Sequence, residues 1–568
     1  MKIIKFFIYP IILALLIVFV YGKLTSSFFQ QDEWLTFGGF LNSQSNGGYL
    51  GFLYNTMINS GGIHVIPLAV ARSYLQIETF HLNFSSYAVL SILNHIVNTF
   101  LVFYLATILL KKRFLAFLVG LIYAVSSISS QSVTWIAATI NTQNSDSFLL
   151  LSLIFLFKYI KDKSNIKLLI VSLISIFIGL LFKENLAIAI FIFPAFWAIF
   201  SDKKNKKTFY KFSLSIFVVM FIYFAIRFSA TIMIPQTIVN SVSPSWESPT
   251  VETYLYRAIT FPLKIIPQSI IPANFIIKIA NKIVYLGYPQ YFASSASETN
   301  TYVVQTVLFD MVAYALGLLI IAICFYLYRY FVRKKPELAK ALAFSLVLIT
   351  ISILPLLFLP GRGGYFYIFE PRHLSIAVIG ASLIVCLLLY GFVSRFIKEE
   401  KVIYTLIFIL LIPILVIYIK QIRADIRTLV YDGDIRRNII STIYNKYSTL
   451  PKRAVIFAQS DTAYYGLPIE EKILPFQSGF GQTLMVWYGF YNSLPACLFK
   501  GDFLYEIHSQ GYEECDGYGF GYFRKIKDLK KAVNEKVISP SAVIGYSFDS
   551  HNQTLTDITA SLRKDLTH

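Results

Sequence analysis

The chain has 568 residues, of which 56% are hydrophobic, 17% aromatic and only 14% charged. A soluble protein of this length would need far more charge to cover its surface. The formal net charge of +19 does not point to nucleic acid, because the excess sits in short clusters at residues 111–113, 161–167, 203–207, 329–335 and 395–401, while residues 421–568 are close to balanced. Lys and Arg clusters set between apolar runs are the pattern of cytoplasmic loops in a polytopic membrane protein.

Residues 1–5 are basic and residues 6–20 apolar. No small-residue cleavage site follows, so this segment reads as a retained first helix with its N-terminus in the cytoplasm. Apolar runs long enough to cross the membrane follow at about 86–110, 114–128, 146–160, 167–182, 186–200, 209–230, 303–330, 340–359, 373–397 and 402–420. The expected fold is a polytopic α-helical membrane protein of about 11 transmembrane helices, multi-pass in the plasma or inner membrane, with its C-terminus extracytoplasmic. All five basic clusters then share the cytoplasmic side.

The outer face receives residues 25–85, 129–145, 231–302, 360–372 and 421–568. Residues 47–74 mix aromatic and aliphatic residues with Gly-Gly breaks, as helices lying in the membrane surface do. Residues 259–279 are apolar but interrupted by Pro262, Pro267 and Pro272, which predicts a segment lying along or dipping into the interface. The chain thus divides into a transmembrane module over residues 1–420 and an extracytoplasmic domain over residues 421–568. In the latter, residues 454–458 and 542–546 read as strands and residues 525–537 as a helix, a small α/β domain. Cys324 and Cys386 fall in apolar runs as packing residues. Cys497 and Cys515 lie in the tail, where an oxidising compartment would permit a disulfide.

Chemistry-bearing residues cluster at the edges of these runs. Asp32-Glu33-Trp34 follows the first span: two adjacent carboxylates whose side chains diverge in a strand or loop, then an interfacial Trp. A partly desolvated carboxylate there can take a proton from an attacking hydroxyl, and its neighbour can orient it. Lys183-Glu184 interrupts an apolar stretch, where a cation can meet a lipid phosphate. Arg372 precedes a late span, and its planar fork suits two phosphate oxygens. His95, inside an apolar helix, reads as a packing residue. No His/Cys cluster has metal-ligand spacing, so no cofactor is expected; Asp32-Glu33 holding a divalent ion is the minority alternative. Asp432-Gly433-Asp434 reads as a turn.

The Asp32-Glu33 pair resembles the first-loop acidic motif of the GT-C glycosyltransferases, polytopic enzymes that use polyprenyl-phosphate sugars. Further segments resemble the protein O-mannosyltransferase branch. These are His64-Val65-Ile66-Pro67-Leu68, residues 87–103 with Asn94-His95, Gln131-Ser132-Val133-Thr134-Trp135-Ile136 through Asn141, Lys183-Glu184-Asn185, Arg257-Ala258-Ile259-Thr260 and Glu370-Pro371-Arg372-His373-Leu374. The likeness covers roughly residues 28–200, with islands to about 385, and is nearest to the tetratricopeptide-bearing transmembrane O-mannosyltransferases; for this chain it implies glycosylation at the cell envelope. Gln131 and Asn141 stand where that branch has acidic residues, and no tetratricopeptide repeats follow, which leaves the sugar and the acceptor open.

The resemblance implies an inverting transferase that moves a sugar from a polyprenyl-phosphate donor to a hydroxyl of a glycan or protein acceptor. Asp32 and Glu33 would be catalytic. His64, Lys183, Glu184, Arg257, Arg372 and His373 would contact the lipid phosphate or sugar. An O-antigen polymerase or ligase would lean on Arg and His of a large outer loop instead, and a transporter would show repeated halves with broken mid-membrane helices. A non-enzymatic sensor is the remaining alternative.

Overall fold

The computed structural model describes residues 4–59, 64–162, 165–201, 206–232, 250–287, 298–357, 369–464, 472–477, 479–491, 493–535 and 537–567. The glycine-rich loop at residues 361–364, most of the basic cluster at 203–207 and parts of the segment 231–302 lie outside the described residues. The chain falls into two compact units. The first comprises Met1–Gly22, His64–Ile66 and Leu90–Ala424, the second Lys23–Ile63, Pro67–Val89 and Asp425–His568.

The first unit is helical. Among the described residues of the whole chain, seven helices are long and apolar enough to cross a membrane: Phe7–Ser26, Phe84–Leu110, Phe212–Ala230, Val307–Lys334, Pro336–Leu357, Ser375–Phe396 and Glu400–Lys446. Val251–Gln268 and Ala273–Gly287, bent by 107° at the break between them, make an eighth if counted as one span. The break follows from Pro272, which cannot continue the preceding helix and readily starts the next. Three expected spans are shorter apolar helices, Arg113–Ala124, Ile166–Phe182 and Glu184–Phe200. The run at 146–160 lies inside a longer helix, Ile136–Lys161, whose first half takes in most of the segment 129–145 expected as a loop. Large apolar side chains such as Leu15, Phe217, Phe221, Leu318 and Phe325 face outward, as lipid contact requires.

Polar contacts bring three of the five basic clusters, at 111–113, 329–335 and 395–401, close together. Lys111 Nζ lies 2.7 Å from Glu337, at the start of Pro336–Ser352, and Lys112 pairs with Glu400, at the start of Glu400–Lys446. Lys335 donates to the Tyr390 hydroxyl near the end of Ser375–Phe396. A 22-residue helix is roughly 33 Å long, so Arg372 and His373, just before Ser375, stand at the end of that helix remote from Arg395.

The second unit holds a five-stranded mixed sheet: β1 Arg453–Ser460, β2 Gly511–Cys515, β3 Tyr518–Phe523, β4 Val543–Asp549 and β5 Thr554–Asp557, in the order β2-β3-β1-β4-β5. β1 is central and parallel to both β3 and β4, which explains its uninterrupted buried run from Ala454 to Ala458. β2 and β3 form a hairpin whose turn residues, Asp516 (φ 51°) and Gly517 (φ 77°), both occupy the left-handed region that a tight two-residue turn needs. Helices Ile526–Asn534 and Thr559–Thr567 close the core through Leu529 and Leu562, packed with Val455, Phe457 and Val543.

Cys497 and Cys515 are joined by a disulfide across 18 residues of chain. Closing a loop of that length is worth about 3 kcal/mol through the unfolded state. Cys497→Ser is therefore expected to lower the stability of the C-terminal sheet by about 3 kcal/mol, read as a drop in its denaturation midpoint. The native protein should also change electrophoretic mobility on reduction.

Two local expectations are corrected. Asp432-Gly433-Asp434 is not a turn: the helix Glu400–Lys446 runs through it, well past residue 420. Gly433 is there because the helix lies against the chain at Ser27 and Phe28, where a Cβ would come within 2.9 Å of the Phe28 backbone nitrogen. Trp34 is not an interface anchor. It is fully buried among Phe28, Phe29 and Phe37, with ring centroids 5.6–5.8 Å away.

Candidate functional site

In the first unit, the break between two short apolar helices supplies the charged group. Ile166–Phe182 ends at Lys183, whose extended backbone (φ −158°, ψ 127°) starts the tight turn Glu184–Ile188. The Lys183 ammonium donates to Thr142 Oγ1 at 2.7 Å, on the helix Ile136–Lys161. One turn further along that helix stands Asp146, 1% exposed, which accepts from the Ser375 hydroxyl and lies within electrostatic reach of Lys183. Its Oδ1 has no hydrogen-bond partner among the described residues. His64 Nδ1 donates to Glu184 Oε1 at 2.6 Å, so the neighbour of Lys183 is held from the other side.

Arg372 joins the same group. Its guanidinium pairs with Glu370 at 2.6 Å and lies over the Trp135 ring, 4.4 Å from the centroid. Stacking on an aromatic face holds the planar fork in one orientation while its edge can still meet oxygens. His373 stands beside the pair, its Nε2 3.7 Å from Glu370. Arg372 and Lys183 sense each other's charge. Glu370, Glu184 and Asp146 supply counter-charge to the two cations within the same group.

Arg257 has different surroundings. It is 2% exposed, donates to the Leu357 carbonyl at 3.2 Å and lies over Phe261. Nearby, Lys264 and Asp310 form a buried ion pair at 2.6 Å, with side chains 0% and 2% exposed.

Asp32 and Glu33 belong to the second unit. They are not in a loop but form the first turn of the helix Asp32–Ser45. Negative side chains are favourable there, against the positive end of the helix dipole. They do diverge: Glu33 is 4% exposed and its Oε2 accepts from the Gln31 backbone N–H at 3.0 Å, whereas Asp32 faces outward. Partial burial, with the charge of Asp32 added to it, pushes the Tyr505 hydroxyl above its ordinary value, which places the Asp32 carboxylate within electrostatic reach of that ring.

Sequence reasoning missed Asp146, Trp135 and Ser375 as members of the Lys183–Arg372 group. Asp146 stood at the edge of an apolar run and read as its boundary. The signal that could have found it is the polar series Thr142, Gln143, Asn144, Ser145 and Asp146, too long for a boundary and buried throughout. Among the described residues no group of three or more His, Cys, Asp or Glu side chains could hold a metal ion. No protein-family model matches the chain, and no curated protein matches it.

Proposed function

We propose that this protein is an inverting glycosyltransferase that moves a sugar from a polyprenyl-phosphate donor to an acceptor hydroxyl on the extracytoplasmic face. The observation that carries the reading is the gathering of Lys183, Arg372, Asp146, Glu184 and His64 from four separate stretches of the first unit. A phosphodiester is an anion that two adjacent cations accommodate, and a membrane protein meets such a group in lipid carriers. The reading counts the three shorter apolar helices and Ile136–Lys161 among the crossings. With the seven longer helices this makes eleven, the N-terminus cytoplasmic and the C-terminal sheet outside. The Cys497–Cys515 disulfide supports that side for the sheet, since such bonds persist in oxidising compartments.

In this chemistry the acceptor oxygen bonds to the anomeric carbon as the bond from that carbon to the phosphate oxygen breaks. The hydroxyl proton passes to a carboxylate base, the role the sequence resemblance gives Asp32, and the electron pair leaves with the polyprenyl phosphate. Lys183 and Arg372 stabilise the charge that grows on the departing phosphate, and Arg257 adds to the positive field. Asp146 and Thr142 hold Lys183, Glu184 and His64 hold the turn that carries it, Glu370 and His373 steady Arg372, and Glu33 supports the helix end that presents Asp32.

The test is transfer by the purified full-length protein in lipid nanodiscs, offered defined polyprenyl-phosphate hexoses and mixed glycan and peptide acceptors. Release of polyprenyl phosphate with a glycoside of inverted configuration is the expected result. A folded protein that consumes none of the donors would overturn the assignment. Arg372→Lys, which keeps the charge but loses the planar fork, is expected to weaken donor binding by about tenfold or more, measured as KM for the donor.

A further inference from the structure

The second unit contains a cavity of about 710 Å³ that the transfer reading leaves unused. Its size is in the range of small-ligand sites, about 300–1,000 Å³. One wall is aromatic: Trp487 and Phe490 from the helix Phe480–Phe490, and Tyr491 directly after it. The other is polar: Glu78 near the end of the helix Pro67–Phe80, and His81 and Asn83 in the turn that follows.

Both walls are held in place. The Phe490 ring lies parallel to Phe40, 6.2 Å between centroids, and edge-on to Phe37 at 5.8 Å. Tyr491 packs on Tyr444 at 4.9 Å and on Trp487 at 5.4 Å, yet stays 48% exposed. His81 has a left-handed backbone (φ 46°), its N–H bonded to the Ile77 carbonyl and its own carbonyl accepting from the Tyr87 hydroxyl at 2.9 Å. That conformation costs energy for a residue with a Cβ and persists only where the surroundings enforce it. The Glu78, His81 and Asn83 side chains are exposed on the polar wall.

We infer that this cavity binds a neutral carbohydrate. A pyranose ring offers an apolar C–H face for an aromatic wall and a rim of hydroxyls that both donate and accept. The Glu78 carboxylate accepts and the Asn83 amide both donates and accepts, so each face of the sugar meets its chemical complement. The Glu78 charge disfavours acidic sugars. A lipid chain or apolar peptide would strip water from Glu78 and Asn83 without replacing it, which is costly. The inference does not require the transfer reading.

Calorimetric titration of the full-length protein in nanodiscs with maltotetraose, mannotriose and triacetylchitotriose tests it. Saturable binding of at least one is expected. Tyr491→Ala should weaken that binding about tenfold, and Asn83→Ala, a change on an exposed side chain, by about fivefold. Asp32→Asn should leave it unchanged, which separates this site from the transfer chemistry. Absence of binding by all three probes overturns the inference, as does binding that Asn83→Ala and Tyr491→Ala leave unaltered. A wild-type protein that binds glycan but transfers no sugar would count against the transferase reading alone.

Discussion

Asp32→Asn is expected to lower the rate of sugar transfer by about 10²–10⁴-fold, the usual worth of a positioned general base, with KM for the donor nearly unchanged. The substitution is isosteric and falls on an exposed side chain in the first turn of the helix Asp32–Ser45. Loss of its charge there removes a dipole interaction of about 0.3–1 kcal/mol, too little to unfold the unit. Glu33→Gln supplies the contrast. Glu33 is buried and its carboxylate accepts from the Gln31 N–H, a bond that an amide oxygen can still accept. Its expected effect on rate is therefore much smaller than that of Asp32→Asn. If single-turnover measurements give the reverse order, the base is Glu33. If neither change slows transfer, neither carboxylate takes the proton.

Asp310→Ala is expected to destabilise the protein by about 3–5 kcal/mol, because it strands the Lys264 ammonium without its counter-charge. The pair lies 2.6 Å apart with both side chains essentially inaccessible, on Val251–Gln268 and Glu298–Lys334. Unlike an exposed ion pair, such a pair cannot hand its charges back to water when one partner is removed. Replacing both residues, Lys264→Met with Asp310→Leu, should recover most of the loss, since no buried charge then remains. Thermal unfolding in detergent of the two single variants and the double variant measures the coupling. A single variant as stable as wild type would show that water reaches the pair.

The apolar runs and the charges between them made the membrane-spanning class legible, because the hydrocarbon thickness sets a length that a sequence window can count. Counting failed where polarity was mixed in. The first half of Ile136–Lys161 carries Thr142 through Asp146 and read as a loop, yet those side chains face other helices and bury there. The helix Glu400–Lys446 read as ending near residue 420 because hydropathy falls. Its continuation is visible afterwards in Ile435, Ile439 and Ile443, buried at four-residue intervals. At Gly433 the turn-like composition lost to close packing against Phe28.

By itself the sequence determined the multi-pass class, the small α/β tail with its strands near residues 454–458 and 542–546, and the residue types from which an anion site can be built. Which of those residues meet was decided only in three dimensions. Lys183 reaches Thr142 and the charge of Asp146, Arg372 stacks on Trp135, and Ser375 donates to Asp146. Helix periodicity states which face of a helix is apolar, but not which helix covers it. Contacts between side chains so far apart along the chain depend on helix packing and on breaks such as Lys183, where the backbone leaves the helix.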